Sequence, residues 1–336
     1  MAQALHHLNR VGVIGSLECD GAQSPRELAE RLALDPHVVS CVLDYVERVD
    51  PLLERDAAGR YALGAFGRSV VERFGRRDGD GLSLNLFDVR VGAYGPVWSA
   101  LDAMMTGERP YGPGVQRDGD HAAVGVYKVA GRVVPLLGPL LVEAGVQQVV
   151  EVGVPTGIVP ALLAGHPGLR GVGLDRDASA LPAAAAKARA HGVEGITWVH
   201  GDLFEPAGWL HEVDATARTA LASIHFHELV ADGGERLRRL VGVLSERLPG
   251  ALLVAFEQPR LPHAAEPETD PVLWSYAASN VLIHHLIKNA RILDLAGWKG
   301  LLEGTGAVLE RTGPLGFLGY HLFVWRLPGG ARETPA

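Results

Sequence analysis

The sequence predicts an α/β protein with a doubly wound, mainly parallel sheet and a smaller helical unit in front of it. One observation is the β-branched run that opens residues 149–157, because it is typical of a buried parallel strand and glycines follow it directly. A second is a pair of later apolar runs, residues 171–174 and 197–200, which also end at acidic or glycine residues. The third is the set of helix and hairpin signals in residues 24–63.

The strongest single signal is the stretch Val-Val-Glu-Val-Gly-Val-Pro-Thr-Gly at residues 149–157. Glycines directly after a strand let the backbone turn tightly and approach a ligand. An acid that ends the next strand can accept hydrogen bonds from both hydroxyls of a ribose. These features predict an adenosine pocket at the carboxyl edge of the sheet. The predicted cofactor-binding residues are Glu151, Gly153, Gly157, Asp175, Arg176, Asp202 and Leu203.

The glycine spacing separates two classes of nucleotide-binding protein. Dinucleotide enzymes use Gly-x-Gly-x-x-Gly to place a pyrophosphate on a helix N-terminus, whereas here the spacing is Gly-x-x-x-Gly. The pattern resembles motif I of class I S-adenosylmethionine-dependent methyltransferases. Glu151, Gly153 and Gly157 match that motif, and Pro155 replaces its central glycine. The resemblance implies an S-adenosylmethionine cofactor and a Rossmann-like, seven-stranded sheet that ends in an antiparallel hairpin.

Composition is that of a protein that works in aqueous solution. A chain of 336 residues should form about two domains, and a net charge of −8 argues against nucleic acid as the main partner. No run of about 18 apolar residues and no signal-peptide pattern occurs. Cys19 and Cys41 are most simply reduced thiols. We expect a cytoplasmic protein without a membrane partner.

Residues 24–63 predict a winged helix. Ser24 begins a capped helix with proline at its first position, and Asp35 begins a second helix in the same way. Residues 52–63 then read as two short strands around a glycine turn. DNA binding is an alternative function for such a unit, but the second helix carries Asp44 and Glu47 and hardly any basic residues.

The order of these parts resembles the small-molecule O-methyltransferases. In that family the winged helix mediates dimerisation, and helices between the domains cover the substrate pocket. The resemblance implies a homodimer and a small-molecule acceptor, with residues 306–311 and 319–325 forming the closing hairpin. The predicted parts are a winged-helix dimerisation domain at 1–80, a helical linker at 81–145, a cofactor-binding catalytic domain at 146–328 and a disordered tail at 329–336.

The reaction centre is predicted just after the fourth strand. The family has a His-Asp-Trp segment there, and His227 falls on its histidine, which removes a proton from the acceptor hydroxyl. Glu228 stands in place of the aspartate, and Leu229 in place of the tryptophan. A neutral imidazole is a suitable base at neutral pH. Aligning on Trp298 puts Ile292 where the family has a second, orienting glutamate, so that carboxylate is missing.

A smaller branch of the fold suggests a different chemistry. Its members methylate the carbon beside the keto group of 2-oxo acids such as phenylpyruvate, and they bind a metal through two histidines. His284 and His285 are adjacent on one helix and point about 100° apart, so only one is expected to face the pocket. His285, thirteen residues before Trp298, matches the second metal ligand and His227 the first. Imidazole suits iron or zinc among other transition metals. His225 is a spare ligand candidate.

The sequence leaves several functions open. Metal-assisted C-methylation through His227 and His285 is one, with Glu228 as a ligand or partner. Base-assisted O- or N-methylation in secondary metabolism is another. The remaining alternatives are a cyclisation of S-adenosylmethionine itself and a protein that binds the cofactor without turning it over.

Overall fold

The computed structural model describes residues 1–74, 76–78, 81–83, 88–112, 114–118, 133–154, 157–261, 271–287, 290–316 and 319–329. The chain divides into two compact units, Met1–Val126 and Tyr127–Ala336. The boundary between the two units lies within residues 81–145, which the sequence analysis assigned to a separate helical linker. Apart from Gly329, the predicted tail lies outside the described residues.

The first unit is mainly helical. Its elements are α1 (Ala2–Arg10), α2 (Val13–Asp20), α3 (Pro25–Leu32), α4 (Pro36–Val49), β1 (Leu53–Arg55), β2 (Tyr61–Leu63), α5 (Ala65–Phe74), β3 (Arg76–Asp78), β4 (Gly81–Ser83), a π-helical turn (Asp88–Ala93), α6 (Gly95–Ser99) and α7 (Leu101–Thr106). Helices α3 and α4 followed by the β1–β2 hairpin are the elements that the sequence predicts for a winged helix.

Local sequence fixes the ends of these helices. The Ser24 side chain accepts a hydrogen bond from the Glu27 N–H while the Glu27 carboxylate accepts one from the Ser24 N–H, which is the predicted capping box. Asp35 caps α4 by accepting hydrogen bonds from the N–H groups of His37 and Val38. The buried faces of both helices then meet in one apolar core with the hairpin.

The second unit is a three-layer α/β structure. Its elements are α8 (133–143), β5 (Gln148–Val152), α9 (Ile158–Gly165), β6 (Arg170–Asp175), α10 (Ala180–Ala190), β7 (Ile196–His200), β8 (Thr219–Ser223), α11 (Phe226–Leu229), α12 (Glu235–Arg247), β9 (Leu252–Glu257), α13 (Pro271–Leu286), α14 (Leu295–Lys299), β10 (Val308–Pro314) and β11 (His321–Arg326).

The seven strands of this sheet are ordered β10-β11-β9-β8-β5-β6-β7. Strands β5 to β9 are parallel, while β11 is antiparallel to both β9 and β10. The predicted fold class, a Rossmann-like sheet with a C-terminal antiparallel hairpin, is therefore confirmed. Strand order reverses between β5 and β8, and ligands of open parallel sheets bind outside the carboxyl ends of strands at such a point. Among the described residues, no helix combines the length and apolar character that crossing a bilayer demands.

Two helical glycines give opposite predictions for stability. A Cβ at Gly67 in α5 would collide with the Leu52 carbonyl oxygen, whereas a Cβ at exposed Gly242 in α12 would meet no atom within 4 Å. Gly242→Ala should raise the free energy of unfolding by about 0.5–1 kcal/mol through helix propensity. Gly67→Ala should lower it by about 1–3 kcal/mol because the helix must move off the hairpin. Urea denaturation followed by circular dichroism measures both; equal stabilisation by the two changes would contradict the close packing at Gly67.

Candidate active site

Glu151 holds the first turn of α9. Its carboxylate is fully buried, and its two oxygens accept hydrogen bonds from the N–H groups of Ile158 (3.1 Å) and Val159 (2.9 Å). A negative charge at a helix N-terminus also interacts favourably with the helix dipole. The sequence analysis placed Glu151 in the floor of the cofactor site. In the structure its described hydrogen bonds hold the start of α9, and its place in the cofactor floor stays a prediction.

The two predicted glycines have backbone angles that favour glycine, with φ of 88° at Gly153 and 74° at Gly157. Gly153 also lies beside another loop, since a Cβ there would sit 3.3 Å from Cδ2 of His225. The Ser223 hydroxyl joins these loops by donating to the Val152 carbonyl (2.8 Å) and accepting from the His225 N–H (3.0 Å). Residues 155–156, including Pro155, lie outside the described residues.

Asp175 ends β6 beside this turn. Its Oδ2 accepts a hydrogen bond from the Val154 N–H (3.1 Å), and its Oδ1 accepts one from the Asp177 N–H (2.8 Å). Burial raises the pKa of Asp175, and these hydrogen bonds offset that rise only in part. Each carboxylate oxygen can accept a second hydrogen bond, so the group can still bind hydroxyls. Arg176 is exposed, and its carbonyl lies 3.1 Å from Nε2 of His200.

Asp202 follows β7 at the same edge of the sheet. Its Oδ1 accepts a hydrogen bond from the Phe204 N–H (2.9 Å), which stabilises the turn out of the strand, and its side chain stays partly exposed. The sequence analysis also predicted that Leu203 binds the cofactor. In the structure Leu203 is only 5% exposed and packs in the main apolar core of the sheet. It can support a site from below but presents little surface to a ligand.

His227 and Glu257 form a buried pair. His227 lies on α11 and Glu257 ends β9, and they are 8% and 2% exposed. Nδ1 of His227 lies 2.8 Å from one Glu257 oxygen, and the His227 N–H donates to the other oxygen at 2.9 Å. An ionised carboxylate can only accept, so Nδ1 carries the proton and Nε2 is left as a proton acceptor. This arrangement can support general-base chemistry.

The structure brings His284, and not His285, to His227. The His284 ring lies 4.5 Å from the His227 ring, with the planes 65° apart, and the residue is only 5% exposed. His285 is exposed on another face of α13. The prediction that His285 takes part in the reaction centre is therefore corrected, because neighbouring helix positions differ by about 100° in direction. Asn280, one turn before His284, is also buried.

The predicted metal site of His227 and His285 is affected by the same difference in direction on α13. His227 and His285 point to different surroundings, so these two residues do not fit one ion. Within the described part of the chain, the residues whose ligand atoms come close enough for a metal are His225, His227 and Glu228, with all such atoms within 4.8 Å of one another. Glu228 and His225 are both partly exposed.

Sequence reasoning missed Glu257, and it chose His285 rather than His284. Glu257 places a carboxylate at the His227 ring, whereas Ile292, the position considered in the sequence analysis, is a buried apolar residue. A signal existed, because Glu257 ends an apolar run as Asp175 does, and all parallel strands of this sheet end at one edge. His284 had no comparable signal, since it and His285 are equally placed in sequence.

Comparisons with known proteins agree on the fold. No protein-family model and no curated protein sequence matches the chain. Among solved structures, the chain is similar to the mitomycin 7-O-methyltransferase MmcR, with a TM-score of 0.62, 17% identity and coverage of 97% of this chain and 94% of that one. An O-methyltransferase family protein from Burkholderia thailandensis has a TM-score of 0.66 at 15% identity, covering 98% and 95% of the two chains.

A third similar structure is the N,N-8-amino-8-demethyl-D-riboflavin dimethyltransferase from Streptomyces davawensis, with a TM-score of 0.60, 16% identity and coverage of 98% and 95%. All three likenesses extend over nearly the whole of both chains. The chain therefore has the fold of the small-molecule methyltransferases that the sequence analysis named.

Proposed function

We propose that this protein is an S-adenosylmethionine-dependent methyltransferase that methylates a hydroxyl group of a small molecule, with His227 as the general base. The contact between His227 Nδ1 and the Glu257 carboxylate, 2.8 Å, carries the proposal. The fold supports it, since the similar structures include the mitomycin 7-O-methyltransferase. Secondary metabolism remains the setting that we propose for the acceptor.

The residues at the carboxyl edge fit the proposed cofactor. Gly153 leaves open the space that a Cβ would fill next to His225, and Asp175 stands beside it with unused acceptor capacity for ribose hydroxyls. Asp202 would receive the nucleobase, and Gly157 lets α9 begin close to the ligand. When bound, S-adenosylmethionine supplies an electrophilic methyl group. Glu151 contributes indirectly by holding the glycine turn in shape.

His227 does the acid–base work in this proposal. Its Nε2 accepts the proton from the acceptor hydroxyl, and the resulting imidazolium is stabilised by the Glu257 carboxylate on the opposite nitrogen. Such a base is most useful for a hydroxyl group, because a neutral amine already has a free electron pair. This favours O-methylation over N-methylation. Metal-assisted C-methylation through His227 and His285 is not part of the proposal, because His285 is exposed on another face of α13.

The N-terminal unit offers a surface for the proposed homodimer. Val38, Tyr45 and Val49 are 56%, 46% and 54% exposed on α4, and their spacing of seven and four residues puts them on one face of the helix. Exposed apolar residues aligned in this way are typical of a protein interface. A second copy of the chain is the partner that the family resemblance implies.

Variants of the histidine site test the proposed base. With methyl-labelled S-adenosylmethionine and a panel of phenols, His227→Ala should lower kcat about 10²–10⁴-fold, since the general base is lost. Glu257→Gln should also lower kcat, by up to about 10⁴-fold, because an amide cannot stabilise the imidazolium. Both variants should bind S-adenosylhomocysteine about as well as the unchanged protein.

His285→Ala is the matched control, because the exposed neighbour of His284 should leave kcat near its original value. Product formed from S-adenosylmethionine without any acceptor would instead indicate cyclisation. Transfer that stops when the protein is treated with a chelator would indicate a metal-dependent reaction. Cofactor binding with no transfer to any phenol would contradict the proposed O-methylation.

The raised pKa of Asp175 predicts how cofactor affinity changes with pH. Because burial raises this pKa, the carboxylate takes up a proton at a higher pH than an ordinary aspartate, whose pKa is about 3.9. The protonated group loses acceptor capacity, so affinity for S-adenosylhomocysteine should fall as the pH is lowered from 7 towards 4.5. Asp175→Asn should weaken binding about tenfold at pH 7 and flatten this dependence.

Asp177→Asn is the control for Asp175. Asp177 is exposed, and a hydrogen bond from the Ser179 hydroxyl lowers its pKa. Its replacement should keep the pH dependence and move it slightly to lower pH, because the Asp177 charge is a minor cause of the raised pKa of Asp175. Isothermal calorimetry over this range measures the affinities, and circular dichroism checks that the proteins stay folded. An Asp175→Asn variant with unchanged affinity would rule out a contact between Asp175 and the cofactor.

The dimer has its own test. Tyr45→Glu with Val49→Glu should convert the protein to monomers in sedimentation velocity, because two charges would enter an apolar interface. Val243→Glu is the control, since Val243 is 40% exposed on α12 in the other unit. A dimer that persists in the double variant, or a monomeric unchanged protein, would contradict this interface.

A further inference from the structure

We propose that Arg236 is a positioning residue of the nucleobase site, which holds the Asp202 carboxylate in place to receive the amino group of an aminopurine. The inference rests on the proposed function, since it needs an adenosine-containing cofactor at this edge of the sheet. It adds a residue from α12 that the sequence analysis did not consider, and it assigns that residue a part in base recognition.

Arg236 makes two contacts with the segment after β7. Its guanidinium carbon lies 4.1 Å from the centre of the Phe204 ring, and its Nη2 lies 3.7 Å from Oδ2 of Asp202. Arg236 is the second residue of α12, which follows β8 and α11, whereas Asp202 and Phe204 follow β7. The contacts therefore join two loops at the edge where the strands end.

The position of Asp202 depends on both contacts. Its Oδ1 accepts the Phe204 N–H at 2.9 Å, and its Oδ2 faces the guanidinium. The Asp202 and Arg236 side chains are 41% and 48% exposed, and an ion pair this exposed stabilises little by itself. Stacking of the planar guanidinium on Phe204 restricts the arginine, so the positive charge stays beside Oδ2.

The geometry leaves room for a ligand donor. A separation of 3.7 Å between Nη2 and Oδ2 is longer than a hydrogen bond, so the Asp202 oxygen is held without being saturated by the arginine. A carboxylate accepts N–H groups and cannot donate. It therefore favours a 6-aminopurine, whose exocyclic amine donates, over a 6-oxopurine, which presents an acceptor there.

Hydrogen bonds at the start of α12 fix the position of the Arg236 backbone. The Arg236 N–H donates to Oδ2 of Asp232 at 3.0 Å, and the Gly234 N–H donates to the other oxygen at 2.9 Å. Asp232 thus caps the helix and sets the direction of its first turn. One turn later, Arg239 pairs with Glu235 at 2.7 Å, and both of these side chains are largely exposed.

The test compares two nucleosides and two arginines. Isothermal calorimetry gives the Kd of S-adenosylhomocysteine and of S-inosylhomocysteine, its 6-oxo analogue, for the unchanged protein, Arg236→Ala and Arg239→Ala. Arg236→Ala should weaken binding of the adenosine compound about three- to tenfold and that of the inosine compound much less. The preference for adenosine over inosine should therefore shrink, and Arg239→Ala should bind both like the unchanged protein. In an Asp202→Ala background, Arg236→Ala should cause no further loss of preference.

Three results would overturn the inference. Unchanged adenosine affinity in Arg236→Ala would mean that the arginine does not act on the site. An equal loss for both nucleosides would mean a general structural effect, and tighter binding would mean that Arg236 competes with the nucleobase for Asp202. Failure of the unchanged protein to bind S-adenosylhomocysteine would instead contradict the proposed function, so the two failures are distinct.

Discussion

The Glu257 carboxylate is the constraint on which the site depends. It is 2% exposed, and a charge buried to that extent is stable only when hydrogen bonds replace its water. Both of its described hydrogen bonds come from His227, one from the ring and one from the backbone. The end of β9, the start of α11 and the tautomer of the imidazole are therefore fixed together. The Arg291 N–H donates to the His227 carbonyl at 3.0 Å, so the chain after α13 is also held at His227.

Three carboxylates at the ends of parallel strands do three different kinds of work. Glu151 is fully buried and holds α9, Asp175 is half-buried with acceptor capacity to spare, and Glu257 orients an imidazole. The sequence shows where such groups lie along the strands, because strand ends, glycine turns and caps are local signals. It does not show how deep each one lies. Burial is decided by the helix that packs above it, and α9 encloses Glu151 while the turn at Asp175 stays open.

The two adjacent histidines show where prediction from the sequence stops. The fold class and the hairpin at the C-terminus follow from patterns of a few residues, and the structure agrees with them. His227 is placed by family resemblance; it does follow β8, and its role stays a prediction. The choice between His284 and His285 depends on the rotation of α13. That helix is apolar on most of its surface, with buried Ile283 and exposed Leu282 next to each other, so its hydrophobic pattern does not define an inner face. The family pattern selects His285 by its distance from Trp298, and a difference of one residue on a helix changes the side-chain direction by about 100°.

The close approach of the His227 and His284 rings also limits how much positive charge they can carry together. With ring centres 4.5 Å apart and both residues nearly buried, two positive charges would repel by about 4 kcal/mol at an effective dielectric constant of about 20. Simultaneous positive charge on both rings is therefore unfavourable. The Glu257 carboxylate contacts the His227 ring, so a positive charge is better stabilised on His227; in the proposed reaction this favours His227 as the ring that takes the proton. His284 places a second polar side chain beside the proposed base, at 4.5 Å between ring centres.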